Sequence, residues 1–78
     1  MKPVIARQHA IDRARARFGA TGTDEEVAED LILEFQNAKR CGFSRSAIEY
    51  LSGTRRYRIA ERPEHIEIIT VYNQGEPS

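Results

Sequence analysis

One segment near the end of the chain constrains the fold more than any other: residues 66–72, Ile-Glu-Ile-Ile-Thr-Val-Tyr. It is rich in β-branched residues, which favour extended backbone. Its centre is apolar on both faces, so it is predicted to be the most buried strand of a sheet. Such a strand needs neighbouring strands and a covering layer, which the rest of the chain must supply.

Two helices are predicted before this strand. The first runs from about Gln8 to Phe18, because Ile11, Ala14 and Phe18 recur at helical spacing, and Gly19 follows as its stop. Residues 3–7 ahead of it are compatible with a short strand.

The second helix begins at Thr23, since Thr23 and Glu26 have the spacing of a capping box. Its apolar face is broad and is predicted to pack on the sheet. The helix is expected to run to about Cys41, with Gly42 as a left-handed terminator and Cys41 as a small buried hydrophobe.

Two further segments bear on the sheet. Residues 46–51 fit either a short capped helix or a strand, and the turn signal after them suits both. Residues 56–59 alternate, which predicts Tyr57 and Ile59 inward and Arg56 and Arg58 outward.

Together these elements predict an α+β fold with two N-terminal helices packed on one face of a two- to three-stranded antiparallel sheet. Residues 1–73 are predicted to form a single domain and residues 74–78 a frayed tail. Phe35 and Ile69 are expected in the core.

Composition excludes several classes of protein. The 78 residues include one cysteine, Cys41, so no internal disulfide can form. With His9 and His65 it falls short of a zinc set, and no cofactor motif is present. No apolar run is long enough to cross a bilayer. The expectation is a cytoplasmic protein without metal or cofactor.

Charge is balanced overall but not along the chain. Twelve basic and twelve acidic residues cancel, yet residues 21–38 carry six carboxylates and no base. Residues 39–58 carry six bases and a single acid, Glu49. Blocks of this kind create local potential even when the sum is zero.

The acidic block lies on the second helix and surrounds one apolar side chain. Leu33 sits in the middle of the polar arc, where an exposed leucine ringed by carboxylates suits the anchoring of a basic protein partner. The alternative is an ordinary solvated helix face with one exposed leucine. The partner-binding set under the first interpretation is Glu25, Glu26, Glu29, Asp30, Leu33 and Glu34.

Two motifs resemble those of a family of small bacterial and phage proteins that is distantly similar to RelE-type toxins. They are His9-Ala10-x-x-Arg13-Ala14-x-x-Arg17-Phe18-Gly19 and, near the end, Arg56-Tyr57-Arg58 with Ile68-Ile69-Thr70-Val71-Tyr72. The resemblance implies two helices on an antiparallel sheet. It also implies that the open sheet face of a ribonuclease would use Arg56, Arg58, Tyr72 and His9 in catalysis. Arg13, Arg17, Arg56 and Arg58 would then bind phosphate.

Two functions follow as hypotheses. The first is a non-catalytic binding protein of phage or mobile-element origin. It would dock on a host protein or ribonucleoprotein, such as a CRISPR effector, and inhibit or modulate it. The second is a RelE-like, metal-independent ribonuclease toxin that contacts RNA. The balanced charge favours the first, because RNA binding gains much of its affinity from basic residues that release counterions.

Overall fold

A computed structural model describes residues 2–44 and 46–75, apart from the side chain of Ser44. Two helices and five strands make up this part of the chain. In chain order they are β1 (Val4–Ala6), α1 (Gln8–Phe18), α2 (Asp24–Gln36), β2 (Lys39–Ser44), β3 (Ala47–Ser52), β4 (Arg55–Glu61) and β5 (Ile66–Asn73).

The strands form one mixed sheet in the order β1-β5-β4-β3-β2. Strands β2 to β5 make an antiparallel meander, whereas β1 pairs in parallel with β5. The prediction of a two- to three-stranded antiparallel sheet is therefore wrong. Both helices pack on one face of the sheet, where their buried side chains join those of β4 and β5 in one core.

The parallel pairing of β1 involves the two ends of the chain. Val4 lies opposite Ile66 and Ala6 opposite Ile68. The Arg7 amide donates to the Ile68 carbonyl at 3.0 Å, which extends the pairing to the start of α1. A three-residue strand carries little local signal, and its partner lies at the far end of the sequence, so periodicity alone does not reveal the pair.

Helix α2 is shorter than predicted. It ends at Gln36, where the Asn37 amide donates to the Glu34 carbonyl at 3.1 Å and the Asn37 side chain donates to the Leu33 carbonyl at 3.0 Å. Lys39–Ser44 then pairs with β3 through an irregularity between Arg40 and Gly42. The predicted helical end at Cys41 is wrong because strand pairing with β3 outweighs the high helical propensity of Ala38, Lys39 and Arg40.

Three consequences follow for residues near this turn. Gly42 does not adopt a positive φ and terminates no helix. Cys41 is exposed on an edge strand and is not a core residue. Residues 46–51, whose sequence suits either a helix or a strand, lie largely in β3, Ala47–Ser52.

Both bounds of α1 and the start of α2 agree with the predictions from sequence. Helix α1 spans Gln8–Phe18, and Gly19 takes the left-handed conformation with φ 67°. The capping box of α2 is confirmed: Thr23 accepts from the Glu26 amide at 3.2 Å, and Glu26 accepts from the Thr23 amide at 2.9 Å.

A β-bulge in β5 sets which side chains enter the core. Arg58 lies opposite Thr70, but the next residue, Ile59, lies opposite Ile68, so Ile69 is the extra residue. Ile68 and Val71 are fully buried, whereas Ile69 is half-buried and outside the core. The predicted burial of Ile69 is wrong, because simple alternation does not anticipate the bulge.

Phe35 is buried as expected. Its ring meets that of Tyr50 edge-on, with 4.8 Å between centroids. This contact places α2 against β3 and turns the opposite side of the helix to solvent. After β5, Gln74 and Gly75 form a turn, and the remainder of the predicted tail, residues 76–78, lies outside the described residues.

Candidate functional site: an acidic helix face and an arginine face

The first turn of α2 is fixed by bonds within the chain. Arg15 of α1 donates to Asp24 at 2.8 Å and to the Gly22 carbonyl at 2.8 Å. The bond from Arg15 lowers the pKa of Asp24, and the Thr23 backbone amide lowers that of Glu26. Glu26, predicted to bind a partner, therefore already has a structural role in the cap.

The outer side of α2 carries the candidate docking surface, here called the acidic face: Glu25, Glu29, Asp30 and Leu33. The three carboxylates are exposed, and the structure records no ion pair for them with any described residue. Leu33 is 60% exposed. Leu33 is thus a large apolar side chain exposed to water among carboxylates that pair with no base in residues 2–44 and 46–75.

Glu34 differs from the rest of the predicted docking set because it faces the sheet. It accepts from Arg55 Nη1 at 3.2 Å and from the Tyr57 hydroxyl. Burial and the bond to Glu34 raise the pKa of Tyr57. These contacts tie α2 to the start of β4, so Glu34 positions the acidic face without forming part of it.

The side of the sheet away from the helices carries a second charged cluster, here called the arginine face: Glu49, Arg56, Arg58 and Tyr72. Strand register brings them together, since Glu49 lies opposite Arg58 and Arg56 lies opposite Tyr72. Three of the residues implied by the RelE-like resemblance therefore do meet on one surface.

The acid at the centre of the arginine face engages the predicted phosphate ligands. Arg56 Nη1 donates to Glu49 Oε1 at 2.8 Å, and Tyr72 also hydrogen-bonds Glu49. The Glu49 side chain is 9% exposed and that of Arg56 is 28% exposed, while Arg58 and Tyr72 are buried. A phosphate approaching Arg56 would have to compete with a carboxylate already in place.

The electrostatics of this cluster work against general-base chemistry by Tyr72. Burial, followed by the negative charge of Glu49, raises the pKa of the Tyr72 hydroxyl. The bond to Glu49 likewise raises the pKa of Arg56. Both changes hold the proton more tightly on the side chain, whereas a base must lose its proton near neutral pH.

Sequence reasoning missed Glu49 as a site residue. The signal is present: if residues 47–52 form a strand, Glu49 points to the side opposite Ile48 and Tyr50, the side that Arg56 and Arg58 also take. Because that segment fits a helix equally well, the sequence alone does not predict the pairing.

The remaining candidates lie on α1, which packs on the other face of the sheet. His9 and Arg17 are exposed there, and Arg13 is half-buried. Arg13 Nε is buried and has no hydrogen-bond partner among the described residues. The fold therefore does not join His9, Arg13 and Arg17 to the arginine face.

Metal binding and membrane insertion can also be assessed for residues 2–44 and 46–75. These residues contain no group of three or more potential metal-ligating His, Cys, Asp or Glu side chains. Neither described helix is long and apolar enough to cross a membrane.

Comparison with known proteins gives no match to a family model, a curated protein or a solved structure. The functional inference consequently depends on the two surfaces themselves. They differ in one respect that matters for binding: the carboxylates of the acidic face have no ion pair among the described residues, while an acid already occupies the arginine face.

Proposed function

We propose that the protein is a non-catalytic binding protein that docks through its acidic face onto a basic surface of a larger host complex. The supporting observation is Leu33, 60% exposed between carboxylates that no described residue neutralises. A partner with a basic surface would bury the leucine, and its positive charge would complement the carboxylates around it. A nucleic-acid-handling or defence complex, rich in basic protein surface, is the proposed class of target.

Each part of the acidic face has a distinct physical role in this proposal. Glu25, Glu29 and Asp30 would speed encounter with a positively charged partner and orient it. Leu33 would provide the buried apolar contact at the centre of the interface. The capping box and the Glu34–Arg55 contact hold the helix in place, so little ordering is needed on binding.

The test is a capture experiment with the doubly substituted variant Leu33→Arg/Glu29→Lys. Tagged parent and variant are incubated with bacterial lysate, and the bound proteins are quantified by mass spectrometry. We expect the partner to bind the parent and to be lost several-fold from the variant, because the changes add repulsion as well as removing attraction.

A matched control makes the same change of charge elsewhere. Ile5→Arg/Glu64→Lys also replaces an exposed apolar residue and an exposed glutamate, but both lie outside the acidic face, on β1 and in the turn before β5. It should keep the partner. Equal capture by the parent and Leu33→Arg/Glu29→Lys, or equal loss from both variants, would contradict docking through the acidic face. Circular dichroism checks that all three proteins are folded.

A second candidate function is a RelE-like ribonuclease, favoured by the meeting of Arg56, Arg58 and Tyr72 on one side of the sheet. Under this hypothesis the purified parent cleaves RNA, with or without ribosomes, and Arg56→Ala or Arg58→Ala abolishes cleavage. Leu33→Arg/Glu29→Lys would leave cleavage unchanged. An inactive parent in both assays would exclude this candidate.

A further inference from the structure

A cleft opens between the two helices at the end of the sheet where β4 begins. Its volume is about 340 Å³, at the small end of the range of ligand pockets, roughly 300–1,000 Å³. The walls are mainly apolar and come from both helices and the loop between them. The lining residues are Ala14, Phe18, Ala20, Val27, Leu31, Asp30, Glu34 and Arg55.

The charged groups of the cleft are not balanced. Arg55 and Glu34 neutralise each other through contacts of 3.2 and 3.4 Å. Asp30 is left without an ion pair among the described residues, and it belongs to the acidic face as well as to the cleft. The cleft therefore carries a net negative charge and is continuous with a negative surface.

One cation already shows how this site accommodates a guanidinium. The Arg55 guanidinium carbon lies 4.2 Å from the centroid of the Phe18 ring, while Nη1 contacts Glu34. Aromatic rings and carboxylates both bind guanidinium groups in proteins, the first by stacking and the second by charged hydrogen bonds. Apolar walls beside them suit the aliphatic stem of a long basic side chain.

We propose that this cleft receives an arginine side chain of the docking partner, with its stem against the partly exposed side chains of Phe18 and Ala20 and its guanidinium at Asp30. The proposal rests on the proposed function and deepens it, because it makes the partner's surface a basic segment with a protruding arginine. Leu33 and the cleft would then bind neighbouring parts of that segment.

The proposal can be tested without knowing the partner, by using n-butylguanidinium as a probe of the arginine side chain. Methyl resonances of the parent are followed by NMR during a titration. We expect saturable shifts at Ala14, Ala20, Val27 and Leu31, and none at the distant methyl groups of Ile5. The neutral analogue n-butylurea should bind at least several-fold more weakly, and butyrate should not bind.

Two substitutions on α2 provide a matched pair. Asp30→Asn removes the charge that lines the cleft, whereas Glu29→Gln removes a neighbouring charge outside it. We expect Asp30→Asn to weaken n-butylguanidinium binding several-fold and Glu29→Gln to change it less than two-fold. Ala20→Leu, which adds volume to the cleft wall, should also weaken binding.

Several results would overturn the proposal: no saturable binding of n-butylguanidinium, stronger binding of butyrate, or equal effects of Asp30→Asn and Glu29→Gln. Failure here is distinguishable from failure of docking. If the probe does not bind but Leu33→Arg/Glu29→Lys still loses the partner, docking through the acidic face is supported and arginine binding in the cleft is rejected. If the probe binds but the parent captures no partner, the cleft is a guanidinium-binding site and docking through the acidic face is rejected.

Discussion

The acidic face of α2 and the arginine face of the sheet both carry charged residues but differ in what those residues contact. On α2, Glu29 and Asp30 are exposed and meet no base among the described residues. On the sheet, Arg56 is held by Glu49 at 2.8 Å and Arg58 is buried. Charged residues in a sequence therefore remain available for binding only where the fold does not pair them with an opposite charge.

The largest expected effect compares the two sides of β5. Ile68→Ala should lower the free energy of unfolding by about 2–5 kcal/mol, because Ile68 is fully buried in the core where α1 packs on β5. Ile69→Ala, one residue along and half-buried at the bulge, should cost clearly less. Urea denaturation of both variants measures the difference, and equal losses would contradict the assigned register.

A smaller effect compares the paired and unpaired acids directly. Glu49→Gln should destabilise the fold by about 1–3 kcal/mol, since it removes the charged partner of Arg56 in a largely buried cluster. Glu29→Gln makes the same chemical change on the acidic face and should stay within about 0.5 kcal/mol of the parent. Thermal or urea unfolding of the two variants at neutral pH provides the test. A larger loss of stability in Glu29→Gln than in Glu49→Gln would contradict the claim that Glu49 is paired and Glu29 is not.

The smallest effect concerns pH and a third acid, Glu67 on β5. Bonds from Arg7 and Arg62, each 2.7 Å, lower the pKa of Glu67 from 4.5 to about 2. The unfolded state therefore takes up the proton first as pH falls, so this stabilisation is complete above pH 4.5 and is lost progressively towards pH 2.

Glu67→Gln removes the group that titrates. The variant should be less stable than the parent at neutral pH, and its stability should fall less steeply between pH 4.5 and 2. Urea midpoints measured across this range show the slope. Parallel curves for parent and variant would mean that Glu67 is not held by the two arginines.

These comparisons also show where sequence reasoning succeeds. The cap at Thr23 and Glu26, the stop at Gly19 and the strand around Ile68 are predictable because each depends on neighbouring residues. The outward position of Leu33 also follows from helical periodicity alone. Local patterns are therefore sufficient to locate the acidic face.

The features that escape prediction depend on distant residues. The pairing of β1 with β5 joins the chain ends, and β2 forms because Lys39–Ser44 finds a partner in β3. Glu49 can be recognised as the partner of Arg56 only once those strands are in register. From sequence alone, the arginine face is expected to be free to bind phosphate. The acid that pairs with Arg56 is Glu49, and it lies in the segment 46–51, whose local pattern fits either a helix or a strand.

The central claim, that the acidic face is open to a partner and the arginine face is closed, is tested most directly by one pair of NMR titrations. Labelled protein receives a short poly-arginine peptide in one series and a short single-stranded RNA in the other. We predict that the peptide shifts the resonances of Glu29, Asp30 and Leu33, while RNA leaves the side-chain Nε–H signals of Arg56 and Arg58 unchanged. RNA-induced shifts at Arg56 and Arg58, with no peptide response on α2, would contradict the claim.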